Sequence, residues 1–200
     1  MTNNIPLNPD NIGSYPDVWQ KMVDNFFIIH NAHVEMVQVN MLVFINHFED
    51  PDTKWKIRAR FDKHDVSKAE HPEEFGPYVW RYWRTTWYRG VVDYERFNDA
   101  FASPKVDYFI TSGVWHHVKY NRHHPEYHLD HDDMTQVDLI EMVCDWYAMS
   151  EEFNSSIDDW VAYVIPRRYH FSADKLSTIH QLIDILQQKK MEYKQNGTSV

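Results

Sequence analysis

Between Pro16 and about Glu49 the chain repeats at steps of three and four residues, and a histidine sits in the middle of the apolar stripe. Phe26, Ile29, His33, Val37 and Asn40 fall on one face of a long helix, with His30 and Met36 beside them. Such a pattern commits the chain to helix packing. It also puts His33 on a core face, where an isolated imidazole is usually a buried group hydrogen-bonded to a neighbour. A ligand role becomes the better reading only if other ligand-type residues also fall on core faces.

Composition agrees with helices. Glycine is scarce, 5 in 200 residues, which disfavours a turn-rich β sandwich. Hydrophobic residues make up 43% and aromatic residues 16%, enough to fill one core. The expected architecture is an all-α, single-domain bundle of six to eight helices over residues 17–195, after an irregular arm at 1–16. The formal net charge of −10 excludes a general attraction to duplex nucleic acid, although a small anion could still bind at a metal. Cys144 is the only cysteine, so neither an intrachain disulfide nor a zinc ribbon is possible. No apolar run approaches the roughly 18 residues of a membrane span, and the first residues lack the layout of a signal peptide. A soluble, cytoplasmic protein is expected.

"EDPD" at 49–52 ends the first helix, and a second is expected from Thr53 through Lys68. Pro72 restarts a helix with Glu73 and Glu74 in its first turn, where they suit the helix dipole. Its aromatics Phe75, Tyr82 and Trp83, with Val79, read as core, and Arg81 and Arg84 as outer or rim residues. A short helix is expected over 93–103 on Tyr94, Phe97 and Phe101. The next helix carries four histidines within nine residues, His116, His117, His123 and His124, and should end near His123 because His124 precedes Pro125. If it continued, His117, Asn121 and His124 would share a face. A helix over 132–153, capped by Asp132 or Asp133, places Asp145 in the stripe of Leu139, Met142 and Met149. A lone buried carboxylate is costly unless it is paired or binds metal. The last helix runs from Ser172, its N-cap, to about Lys194 on Ile179, Leu182, Ile183 and Leu186, and the final "NGTSV" should fray.

The chemistry gathers around "HDVSKAEHPEEF". His64 and Asp65 are adjacent, so on a regular helix they point about 100° apart, yet the two can converge on one ion at the edge between them. Imidazole plus carboxylate suits Mn, Fe, Co, Ni or Zn, with Mg possible. The ordered set His33, His64-Asp65, a histidine cluster and Asp145 resembles the HD-domain superfamily of metal-dependent phosphohydrolases. "HDVSK" is similar to that superfamily's His-Asp-any-Gly-Lys motif, with Ser67 in place of Gly. More closely, "HDVSKAEHPEEFGPY", "WHHVKYNRHHPEY" and "EMVCDWYAMS" resemble an uncharacterised HD-like family common in phages and large DNA viruses, over roughly residues 25–190.

The resemblance implies metal ligands His33, His64, Asp65 and Asp145 around one or two ions. His117 and His124, or His116 and His123, would complete a second metal site or bind the leaving phosphate. Lys68 would neutralise phosphoryl charge, and Glu74 or Glu70 would orient water or protonate the leaving group. The implied activity is hydrolysis of a phosphate ester, in a small nucleotide, by metal-activated water in the cytoplasm, a host's cytoplasm if the protein is viral. A homo-oligomer is compatible with this reading. Two alternatives stay open: a diiron oxygenase on the same fold, and a binding protein that keeps only the metal.

Overall fold

The computed structural model describes residues 8–88 and 103–196. Among them there is no strand. Seven helices have eleven residues or more: α1 (Pro16–His47), α2 (Pro51–Phe61), α4 (Pro72–Tyr88), α5 (Pro104–Tyr120), α6 (Gln136–Glu152), α7 (Ile157–Arg168) and α8 (Ala173–Asn196). A one-turn helix, α3, spans Val66–Glu70, and short 3-10 turns cover Ile12–Ser14, Pro125–Tyr127 and His131–Asp133. The chain is all-α. The helix expected over 93–103 and the fraying "NGTSV" lie outside the described residues.

Contacts divide the chain into two units, Met1–Asn31 with Asp65–His117, and Ala32–His64 with Val118–Val200. In the first unit, Met22, Phe26, Tyr78, Val79, Trp80, Trp83, Val106 and Ile110 form the core. Phe75 meets Phe26 edge-on at 5.4 Å between ring centroids, and both Phe75 and Tyr82 are half-buried rather than fully enclosed. Pro77 lies inside α4, so the carbonyl four residues back, that of Glu73, loses its helical partner. Gly113 of α5 sits against this place. A Cβ there would stand 2.3 Å from the Pro77 Cβ and 3.1 Å from the Glu73 carbonyl oxygen.

Alanine ordinarily strengthens a helix relative to glycine by about 1 kcal/mol. At Gly113 it meets a rigid ring and backbone, so Gly113→Ala is expected to destabilise the protein by about 1–3 kcal/mol net, as overpacking does. A thermal melt checks this. An unchanged or higher Tm in the variant would show that α4 and α5 can separate freely.

In the second unit, the core gathers Val37, Met41, Phe44 and Ile45 of α1 with Leu139, Ile140, Met142 and Val143 of α6 and the apolar face of α8. Ile179, Leu182, Ile183 and Leu186 are all buried there, and Ser172 caps α8 as expected. Asn40 is fully buried, donating to the Cys144 carbonyl at 3.1 Å and accepting from Lys190 at 3.0 Å. Contrary to the expectation that no run approaches a membrane span, α1 is long and apolar enough to cross one by length and composition alone, with 44% of its most apolar stretch buried in the fold.

Four boundaries differ from the sequence reading. Asp50 caps α2 through Thr53 N–H at 2.8 Å, with Pro51 in the first turn. The helix then stops at Phe61 instead of reaching Lys68, and a turn follows in which Asp65 adopts a left-handed conformation at φ 58° and ψ 9°. A short polar side chain makes this region accessible to aspartate. Helix α5 ends at Tyr120 rather than near His123, so His123 and His124 stand on the following turn; His124 is extended before Pro125. The cap of α6 is Thr135, not Asp132 or Asp133, because Thr135 and Asp138 form a reciprocal capping box. Helix α7, capped by Ser156, carries no signal in the sequence reading.

Candidate metal centre

Helix α6 brings three acids to one side of the second unit. Asp138, Glu141 and Asp145 follow at steps of three and four, and all three are buried. Glu152 lies seven residues beyond Asp145, two turns further along. Facing them are His33 from α1, His64 from the end of the α2 turn and His123 from the turn after α5, each no more than 2% exposed. His33 Nε2 lies 3.0 Å from Asp145 Oδ1, and His123 Nε2 lies 4.0 Å from Asp145 Oδ2. The His64 ring is 4.8 Å from that of His123 and 5.7 Å from that of His33.

Behind the imidazoles stand two more carboxylates. His33 Nδ1 is 2.7 Å from Glu152 Oε1, while His64 Nδ1 and His123 Nδ1 are 3.1 and 3.3 Å from Glu141 Oε1. Burial pushes the Glu141 carboxyl up, but the charge and hydrogen bonds of His123 and His64 outweigh it, and the group titrates far below the ordinary carboxylate range. An ionised carboxylate can only accept, so the Nδ1 atoms of His64 and His123 carry protons, and with a cation bound their Nε2 atoms would present the lone pairs. Metal-binding histidines are held in this way, by a carboxylate on the nitrogen remote from the ion. The donor set fits a divalent transition metal: neutral imidazole nitrogens, one aspartate and an outer layer of acids. His64, His123 and Glu141 also offer ligand atoms within 4.8 Å of one another.

Arg60 anchors the outer layer. It donates to Glu141 at 3.0 Å and to Asp138 at 2.9 Å, and Arg122 adds a 3.0 Å bond to Asp138. Two arginines thus balance part of the acid that α6 buries.

The first unit holds a second set. Asp65 is buried at the start of α3, with its Oδ1 3.0 Å from His117 Nε2 and its Oδ2 accepting from Lys68 Nζ. Glu74 is buried between α4 and α5. Its Oε2 accepts from His117 Nδ1 at 2.8 Å and from Ser67 Oγ at 2.7 Å, and its Oε1 accepts from His116 Nδ1 at 2.7 Å. Burial raises the Glu74 carboxyl, but the bonds from His117, Ser67 and His116 win and pull it down to about 2. Glu74 is therefore a rigid acceptor that orients two imidazoles. Lys68 sits over the Tyr78 ring at 5.0 Å, and burial pushes the Tyr78 hydroxyl well above its ordinary value.

Of the residues singled out in the sequence, the second unit brings together His33, His64 and Asp145 and adds His123. The first unit joins Asp65, Lys68, Glu74 and His117, with His116 at the edge. His124 is half-buried, its ring 4.1 Å from that of His123. The periodicity argument missed Glu141 and Glu152. The signal available was their spacing from Asp145, four residues before it and seven after, on a helix that already bore a candidate ligand.

No curated protein and no solved structure matches the chain. One family model does, over residues 23–185, a span that takes in every residue of both sets. The chain therefore belongs to DUF5662, a family of unknown function.

Proposed function

We propose that this chain is a metal-dependent phosphohydrolase acting on a small nucleotide. The observation that supports it is the buried set His33, His64, His123 and Asp145, with Glu141 and Glu152 holding the rings from behind. The HD-like sequence pattern supplies the reaction class. A divalent ion bound there supplies Lewis acidity and lowers the pKa of water.

The chain's own residues account for the rest. Glu141 holds the Nδ1 atoms of His64 and His123, so both rings would present Nε2 to a bound ion. Asp65 follows His64 in the chain, as the His-Asp pair of the HD-like pattern does. Lys68 lies one helical turn from Asp65 and neutralises charge on phosphoryl oxygens. Ser67, which replaces a glycine of the motif, donates to Glu74 and so ties this turn to the histidines of α5. Glu74 keeps His117 in one orientation.

The test is a phosphate-release screen over nucleoside mono-, di- and triphosphates with Mn²⁺ added, run in air and under argon. Release from at least one class in both atmospheres is expected, with His64→Ala inactive. Metal-loaded native protein that releases no phosphate from any of them would overturn the proposal. Turnover that requires oxygen would turn the reading toward an oxygenase.

A further inference from the structure

We propose a second cation site in this protein, separate from the buried set, formed by His71, Glu73 and His116 of the first unit and suited to zinc, nickel or copper. Each of the three offers a ligand atom, and these atoms lie within 4.8 Å of one another. His116 Nε2 is 2.9 Å from Glu73 Oε2, and the His71 and His116 rings are 4.2 Å apart at their centroids. His71 immediately precedes α4, whose first turn supplies Glu73, and α5 supplies His116. Gly113, three residues before His116, is what lets those two helices close to this distance.

The orientation of His116 carries the argument. Its Nδ1 donates to Glu74 Oε1 at 2.7 Å, and Glu74 is 1% exposed and bonded by three donors. In the neutral ring the lone pair is therefore on Nε2, aimed at a carboxylate oxygen 2.9 Å away. Two acceptors at that distance repel, and either a second proton or a metal ion relieves the repulsion. A carboxylate on one ring nitrogen with the other nitrogen turned toward further ligands is the arrangement that metal-binding histidines adopt. His71 gives up little on joining, since its Nδ1 receives only a 3.3 Å bond from the Glu73 amide. Glu73 and Glu74 offset the positive end of α4, which would otherwise disfavour a cation.

The site also differs from the buried one in access. The Glu73 side chain is 70% exposed and that of His116 16%, so an ion reaches it without unfolding the chain. Two imidazoles with one carboxylate, leaving positions for water, match the preference of borderline ions over Mg²⁺ or Ca²⁺. Because Glu74 holds His116 with one oxygen and His117 with the other, an ion here is one carboxylate removed from the Asp65–His117 pair.

The proposal is tested with Zn²⁺ alone, by equilibrium dialysis and calorimetric titration of the full chain stripped of metal. Native protein is compared with His71→Ala, Glu73→Gln and Asp145→Asn, and circular dichroism confirms that each is folded. His71→Ala and Glu73→Gln leave the His116–Glu74 bond and the buried contacts in place. Each is expected to lose one zinc per chain, or to bind it at least tenfold more weakly, while Asp145→Asn retains this zinc. Equal stoichiometry and affinity in native, His71→Ala and Glu73→Gln proteins overturns the site. A loss confined to Asp145→Asn also overturns it, and leaves the buried centre standing.

Discussion

Asp145→Asn is expected to weaken transition-metal binding at the buried set at least about a hundredfold. Loss of an outer carboxylate alone costs about 10–100-fold in metal affinity, and a direct ligand costs more. In this protein the substitution removes the carboxylate that approaches both His33 and His123. Glu141→Gln provides the graded comparison. It keeps the shape but removes the charge that holds Nδ1–H of His64 and His123, so a loss of about 10–100-fold is expected there. Competition titration against a chromophoric chelator reads both. The stability of the native protein should follow the metal, since a ligand at a hundred times its Kd stabilises the folded state by about 2.7 kcal/mol. Chelator should lower the native Tm by more than that of Asp145→Asn, which keeps only the outer ion. A variant that binds metal within threefold of native would show that Asp145 is not a ligand.

The largest effect on stability is expected at Asp138, which binds no metal in this account. Its carboxylate is fully buried and accepts from Arg60, Arg122, the Thr135 hydroxyl and the Thr135 amide. Asp138→Ala removes the acid partner of Arg122, one of the two acid partners of Arg60, and the capping box of α6 together. Breaking a buried ion pair costs about 3–5 kcal/mol. Both arginines reach solvent, so the lower end, about 3 kcal/mol, is expected. That corresponds to a Tm lower by roughly 6–12 °C for a chain of this size. A fall of under 2 °C would contradict it, given that the scale is about 2–4 °C per kcal/mol.

The same residue makes a prediction about pH. Burial raises the Asp138 carboxyl, but the bonds from Arg122 and Thr135 prevail and set it below its ordinary 3.8. A depressed carboxylate stabilises the folded state fully above the unfolded value, and the contribution is lost as pH falls through the folded one. The gap in urea stability between native protein and Asp138→Ala should therefore hold steady from pH 7 to about 5. It should shrink once pH drops below 3.8. A gap that widens on acidification would reverse the sign.

The helices were legible in the sequence wherever apolar spacing ran long enough. The stripes through Phe26 and Val37 and through Ile179 and Leu186 are buried as spacing predicts. The breaks were harder to read. Nothing in "HDVSK" separates an aspartate in the left-handed region from one inside a helix, and the tertiary contact that Asp65 makes is with His117, which arrives from α5. The cap of α6 was readable in principle, since Thr135 and Asp138 have capping-box spacing, but Asp132 and Asp133 compete for the role.

At the candidate site, His33, His64 and Asp145 stood out because they interrupt apolar faces or adjoin another ligand type. Glu141 and Glu152 did not. An acid on a helix is usually solvated, but Glu141 is buried against Arg60 and the imidazoles of His64 and His123, and Glu152 is half-buried against His33. Glu74 reads from sequence as a dipole-favouring residue in a first turn. Its burial against His116 and His117 follows from the close approach of α4 and α5 at Pro77 and Gly113, which no local pattern announces.

The central claim is that histidines and an aspartate far apart in the chain share one ion. Anomalous diffraction from crystals grown with Mn²⁺ or Zn²⁺, recorded on both sides of the metal edge, tests it most directly. The account predicts a peak about 2.0–2.3 Å from imidazole nitrogens of His33 and His64 and from a carboxylate oxygen of Asp145. Crystals of metal-saturated protein with no peak among these three side chains would contradict it.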